Sequence, residues 1–152
     1  MRMGTEQALL LSVEVLGFDA ARVGSLKERI AGATGVCASS IILGATHTHC
    51  SPRVCDMVMP GERDAEYLKW FESRCVEAAV AASTSLTLVQ ISHTRVADRL
   101  GVNRRFPVDA GVIMRPNTRG PRDPDVDTLH FRAISTGHEI VSLTSAATHP
   151  TC

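Results

Sequence analysis

Ser40-Ile41-Ile42-Leu43-Gly44-Ala45-Thr46-His47-Thr48-His49-Cys50-Ser51-Pro52 runs from an apolar stretch straight into two histidines spaced two positions apart. The apolar part predicts a buried strand over Ser40 to Ala45. Side chains alternate along a strand, so His47 and His49 are expected on one face. Neutral imidazole is a favoured zinc ligand and strand ends are rigid, so a His-X-His pair there suits the start of a metal site. The same pair equally suits two hydrogen-bonded residues closing a strand, and this segment alone does not separate the two.

Outward from it, the pattern predicts an α/β fold. Ala8 to Leu16 reads as a first buried strand, and Asp19 offers an N-cap for a helix through about Ala33 that stops at Gly35. After the His-X-His strand, a loop rich in Pro, Cys and Met covers Cys50 to Gly61. A longer helix follows from about Asp64 to Ser83. In it Tyr67, Trp70, Phe71, Cys75, Ala78, Ala79 and Ala82 recur at helical spacing, a stripe that reads as core packing rather than a ligand box. Strands are then expected at Leu86 to Val96, Gly111 to Met114, Thr128 to Ile134 and Glu139 to Ala147, with a hairpin turn at Ser135-Thr136-Gly137-His138. Strand, helix, strand, helix and then a run of strands implies an α/β layer leading into a mixed or antiparallel sheet.

The composition narrows the function. The chain has 152 residues, 44% of them hydrophobic, which is the length and core content of a single domain over 1–152. Sixteen basic and sixteen acidic side chains cancel, and the basic ones form no stripe, so a nucleic-acid partner is not expected and a small molecule is. No apolar stretch reaches the ~20 residues that span a bilayer, and the opening seven residues do not resemble a secretory signal. The five cysteines (Cys37, Cys50, Cys55, Cys75, Cys152) are odd in number and include no CxxC. They are expected to be mostly free thiols.

Two further islands carry chemistry, Gly101-Val102-Asn103-Arg104-Arg105 and Ala146-Ala147-Thr148-His149-Pro150-Thr151. The second repeats the logic of the opening segment, because Val141 to Ala147 is expected to be a buried strand with His149 just past its end. That repetition favours a ligand role for His149 over a structural one. Arg104 and Arg105, read without other context, form a solvated turn. His93, His130 and His138 read as surface or hairpin residues. Asp123, Asp125 and Asp127 read as turn formers, since the glycine and terminal glutamate of a calcium loop are absent.

Taken in order, these segments resemble the neutral/alkaline ceramidase family, specifically part of the N-terminal catalytic domain of these zinc amidohydrolases. The likeness runs almost end to end: the opening strand and helix, Ile41 to Pro52 against the family's Ala-Thr-His-Thr-His-Ser-Gly-Pro, and the aromatic-bearing helix. It continues through Gly101 to Arg105, Met114-Arg115-Pro116-Asn117, Asp125 to Phe131 and the closing His149-Pro150-Thr151. The resemblance implies that His47 and His149 are ligands of a zinc ion (Zn2+), and that His49 and Arg104 lie beside the metal and assist catalysis. It implies a ceramide-like lipid substrate, hydrolysed at its N-acyl amide bond, with encounter at a membrane surface through that substrate. Family members are often secreted or membrane-associated, and the compartment of this chain stays open.

Departures from the family pattern shape the expectation. Family members complete the zinc shell with a glutamate and a tyrosine far beyond the His-Pro-Thr element, and this chain stops at Cys152. The segment that normally precedes the first strand is also absent, so the chain reads as a fragment of a catalytic domain. Cys50-Ser51 stands where Ser-Gly is usual, Cys50 reading as a small side chain in place of Ser, and Glu14 stands where Asp is more frequent. Two alternatives follow: a truncated, non-catalytic ceramidase-like domain, and a zinc amidohydrolase acting on another acylated substrate. A domain cut through its sheet should expose an edge strand or apolar patch, so self-association is expected. A metallo-β-lactamase-like site needs Asp-His soon after the pair, and a TIM-barrel amidohydrolase needs β/α units downstream. Neither pattern is present.

Overall fold

The computed structural model describes residues 1–56 and 61–149. The described residues form two compact units, Met1–Leu86 and Thr87–His149. The expected α/β class holds, with two helices, one parallel strand pair and antiparallel sheets among the described residues.

The first unit opens with a short antiparallel pair, β1 (Arg2–Met3) and β2 (Glu6–Gln7), turned at Gly4 with a positive φ of 59°. Met1 to Gln7 shows no strand pattern from which this hairpin could be predicted. β3 (Leu9–Val13) follows, then α1 (Ala20–Thr34), then β4 (Ile41–Ala45), which pairs with β3 in parallel from Leu9↔Ile41 to Val13↔Ala45. Parallel neighbours need a crossover, and α1 supplies it. β3 is shorter than the expected Ala8 to Leu16 because the Val15 N–H turns back to the Val13 carbonyl at 2.9 Å, which ends the ladder. Ser40 belongs to a 3-10 turn, Ala38–Ser40, rather than to β4.

Helix boundaries follow their capping chemistry. α1 ends where expected: Gly35 adopts φ 74°, and its N–H reaches the Ala31 carbonyl at 2.8 Å. At its other end Asp19 occupies the N-cap position, but its carboxylate accepts no capping hydrogen bond from the backbone N–H groups of the first turn. It instead accepts the Asp56 N–H at 2.7 Å and pairs with Arg63 at 3.1 Å, fastening the loop after the histidines. α2 (Ala65–Thr84) has a true cap, Asp64 Oδ1 accepting the N–H groups of Glu66 and Tyr67.

The core of this unit joins Leu9 and Ile41 of the strands, Leu26 and Ile30 of α1, and Leu68, Phe71, Cys75 and Ala79 of α2. The α2 stripe is thus rotated from the predicted one. Leu68 is buried, while Trp70 is 53% exposed and Ala78 and Ala82 face outward. Residues 68, 71, 75 and 79 form the narrow i, i+3, i+4 row that meets α1, and the wider apolar pattern in the sequence did not reveal which edge of it is wet. Arg22 and Arg29 of α1 both bond Glu72 of α2, at 2.8 and 2.7 Å, closing the polar side of the helix pair. Cys37, Cys55 and Cys75 carry free thiols, as expected, and burial pushes the Cys75 thiol up. Cys152 lies outside the described residues.

The second unit contains no helix among the described residues. β5 (Val89–Ala97), β8 (Asp125–Ala133) and β9 (Glu139–Ala146) form an antiparallel sheet in the order β5-β8-β9. The predicted hairpin before Glu139 joins β8 to β9. Between β5 and β8, β6 (Asn103–Val108) and β7 (Gly111–Asn117) make a separate two-stranded ribbon.

Three expectations are corrected here. Arg104 and Arg105 lie on a strand, because Phe106, Pro107 and Val108 find cross-strand partners in Ile113, Val112 and Gly111. Asp125 and Asp127 are strand residues and only Asp123 forms a turn, its Oδ1 accepting the Asp125 N–H at 2.9 Å. β9, expected to be buried, is exposed from Glu139 to Ser145. A three-stranded sheet whose unit supplies no helix leaves such a strand wet.

His93 and His130 are surface residues with cross-strand partners. His93 bonds Asp127, and His130 lies between Glu139 (2.8 Å) and the Thr94 hydroxyl (3.1 Å). Arg95 holds Asp127 through two bonds, at 2.8 and 3.0 Å. The Arg95 hydrogen bond first, and then the His93 one, hold the Asp127 carboxyl below the usual carboxylate range. A depressed folded-state value means stability that is full above the unfolded carboxylate pKa of about 3.9 and is lost as pH falls through the lower folded value. Asp127→Asn is therefore expected to flatten the acid limb of melting temperature against pH below about pH 4, read by circular dichroism. An unchanged acid limb would show the pair to be energetically silent.

Among the described residues, no helix is long and apolar enough to cross a membrane.

Candidate functional site

His47 and His49 are brought together, though not by strand alternation. β4 ends at Ala45, and His47 adopts φ 62°, the left-handed region. A histidine there is held by its surroundings against a cost of roughly 1–3 kcal/mol. The restraint comes from the turn that ends β3. The Thr46 N–H reaches the Val13 carbonyl and the His47 N–H reaches the Val15 carbonyl, both at 3.0 Å. The ring then bonds the next carbonyl in line, His47 Nδ1 to Leu16 O at 2.6 Å.

That last bond determines the tautomer. A backbone carbonyl only accepts, so Nδ1 must carry the proton, and the neutral ring has its acceptor lone pair on Nε2. The His49 ring stands edge-on to that of His47, with centroids 5.3 Å apart at 81°. His47 is half-buried and His49 exposed.

Beside His49 lies a hollow of about 250 Å³ whose wall includes Leu16, Ser51, Pro52, Val54 and Glu62. Arg53 braces its rim, donating from Nε to the Cys55 carbonyl at 3.1 Å and from Nη1 to the Gly61 carbonyl. Cys50 is exposed, and its N–H bonds Thr48 Oγ1 at 3.3 Å. Sequence reasoning missed both Arg53 and the Leu16 carbonyl, for no residue type signals which carbonyl a ring will meet.

Arg104 and His149 belong to the second unit. Arg104 is exposed on β6 at the register irregularity between Asn103 and Arg105. It lines an open hollow of about 490 Å³ with Asn103, Arg105, Val112, Ile113 and Met114. The Asn103 side chain spans the irregularity, donating to the Pro121 carbonyl at 2.7 Å and accepting the Arg105 N–H at 2.8 Å. His149 is half-buried beyond the end of β9, after a turn in which the Thr148 N–H bonds the Ala146 carbonyl at 2.9 Å.

Gly101 joins these two islands. A Cβ at that position would lie 2.2 Å from the Ala147 carbonyl oxygen, so only glycine admits the approach. The segment leading to Arg104 therefore packs on the backbone leading to His149. Pro150 and Thr151, which complete the His-Pro-Thr element, lie outside the described residues.

No family model, curated protein or solved structure matches this chain.

Proposed function

We propose that this chain carries zinc ligands of an amidase of the neutral ceramidase type, hydrolysing the N-acyl amide bond of a ceramide-like lipid to a sphingoid base and a fatty acid. The observation that carries this reading is the bond from His47 Nδ1 to the Leu16 carbonyl. Ligating histidines almost always donate their other ring N–H to a carbonyl or carboxylate, which orients the ring and raises its basicity. The donor chemistry fits zinc, for which neutral imidazole nitrogen is a preferred ligand. His47 and His149 are the proposed ligands, His149 on the strength of its strand-then-histidine pattern and of the family resemblance.

Zinc, when bound, supplies Lewis acidity toward a carbonyl oxygen and a water that ionises near pH ~7. His49, beside His47, is the proposed proton carrier, its imidazole delivering a proton to the departing amine nitrogen. Arg104 is proposed to hold the developing oxyanion or a substrate hydroxyl through its fixed fork of donors. Because such a substrate resides in bilayers, it would be met at a membrane surface.

The test is turnover of a fluorescent N-acyl sphingosine by the zinc-loaded chain. Fatty acid release is expected, falling by about 10²–10³ in Arg104→Ala if that residue stabilises the transition state. Equal turnover in the two proteins would remove Arg104 from the mechanism. A second reading, a domain that binds metal and hydrolyses nothing, is favoured by the exposure of His49, since electrostatic and proton-transfer catalysis is strongest where water is excluded. One zinc per chain without any fatty acid release would select it.

A further inference from the structure

The zero net charge of the chain conceals a local excess. From residue 99 to 122 there are six arginines, Arg99, Arg104, Arg105, Arg115, Arg119 and Arg122, against one acid, Asp109. All six are exposed, and among the described residues none of them forms an ion pair. Arg22, Arg29, Arg63 and Arg95, by contrast, are each held by a carboxylate. The unpaired arginines flank an apolar stretch on both sides. Phe106 to Met114 contains no basic residue and forms the paired ends of β6 and β7 with the turn between them. Pro107 pairs with Val112 and Arg105 with Met114, and directly opposed residues share a face of the ribbon. On that face Val112 is 63% and Met114 83% exposed. On the other face the Arg115 guanidinium lies over the Phe106 ring, 5.0 Å from its centroid.

We propose that the β6–β7 ribbon docks on an anionic bilayer surface, lying on its Pro107, Val112 and Met114 face with its arginines at the level of the lipid phosphates. Charge complementarity selects an anionic partner, since an arginine near a negatively charged leaflet strengthens binding by about fivefold. The apolar face selects a bilayer among anionic partners. A single-stranded nucleic acid is gripped by aromatic rings that stack on its bases, and Phe106, the one aromatic residue of the ribbon, already carries Arg115. A protein interface is depleted of charge at its core. A bilayer surface sets phosphates beside the edge of its apolar phase, so arginine and apolar side chains on one face are satisfied together. Asp109 lies in the turn at the end of the ribbon, and insertion to a depth of only about 5–10 Å leaves it among the headgroups. The substrate assigned above would bring the protein to a membrane indirectly, whereas this ribbon binds the membrane itself, with or without zinc or amide hydrolysis.

Co-sedimentation of the purified, zinc-free chain with phosphatidylcholine vesicles containing or lacking phosphatidylserine tests it. Binding is expected only to the phosphatidylserine vesicles, and it should fall as salt shortens the screening length from about 10 Å at 0.1 M to about 3 Å at 1 M. Replacing Arg105 and Arg115 together by Gln is expected to weaken binding by about 30-fold, while Lys at both positions restores it. Met114→Ser should weaken it by about 10-fold through lost apolar burial. Asp109→Asn, which removes the one opposing charge, should strengthen it by about fivefold, a gain that a misfolded variant would not show. Arg2→Gln, at an exposed arginine of the first unit, should change nothing. Binding to neither kind of vesicle, or to both equally, would overturn the proposal, as would Arg105 and Arg115 variants that bind like the unaltered chain. Capture of polyuridylate in place of the vesicles would overturn it in favour of a nucleic acid.

Discussion

His47→Ala is expected to lower zinc affinity by more than the ~10–100-fold that loss of an outer-shell partner costs, because it removes a proposed ligand itself. The same position offers an internal control. His47 adopts φ 62°, a conformation in which a Cβ is strained and glycine is not. Alanine keeps that strain while losing the ring and its bond to the Leu16 carbonyl. Glycine loses the same groups and relieves the strain. His47→Gly should therefore bind zinc as weakly as His47→Ala yet fold more stably by about 1 kcal/mol. Competition against a chromophoric chelator reads the first quantity and urea denaturation the second. Zinc affinity unchanged in both variants would remove His47 from the metal site. Equal stability of the two would show that the left-handed turn stores no strain.

Gly101→Ala is expected to destabilise the second unit and to disturb the segment that carries His149. The added Cβ would meet the Ala147 carbonyl oxygen at 2.2 Å and its carbon at 3.3 Å, and both are backbone atoms with no rotamer to turn aside. Relief requires the Gly101 strand entry or the Ala147-Thr148 backbone to move, at a cost of about 1–3 kcal/mol. Gly24→Ala is the matching control, since that glycine lies inside α1 with nothing within 4 Å of its Cβ position. There alanine should stabilise by about 0.5–1 kcal/mol through helix propensity. If His149 ligates zinc, Gly101→Ala should also weaken zinc binding while Gly24→Ala leaves it unchanged. Equal denaturation midpoints for Gly101→Ala and the unaltered chain would mean that the approach relaxes without cost.

Much of the element pattern was legible because it follows from local chemistry. Gly35 stops α1 by taking the left-handed conformation a helix end requires, and Asp64 caps α2 through two N–H groups that have no other intrahelical partner. The β8–β9 hairpin was legible from Ser135-Thr136-Gly137-His138, where Gly137 has φ 71°. β6 was not legible, because Asn103-Arg104-Arg105-Phe106-Pro107-Val108 lacks strand alternation and becomes a strand only through its partner β7. The exposure of β9 was hidden for a related reason. An apolar run predicts a strand, but whether anything covers it depends on elements remote in sequence.

The candidate site divides along the same line. From the residues alone came the identity of the chemistry: two histidines after a strand, an Asn-Arg pair and a histidine after another strand, types whose lone pairs and charges are properties of the side chain itself. Only the tertiary structure decided how His47 and His49 meet, through a left-handed turn held by three successive acceptors of the β3 end, Val13, Val15 and Leu16. It also decided that the proton of His47 sits on Nδ1 and that Gly101 holds the Arg104 and His149 segments together. Hydrogen-bond partners and close backbone approaches join positions far apart in the chain, and they come into being only when the strands that carry them have paired.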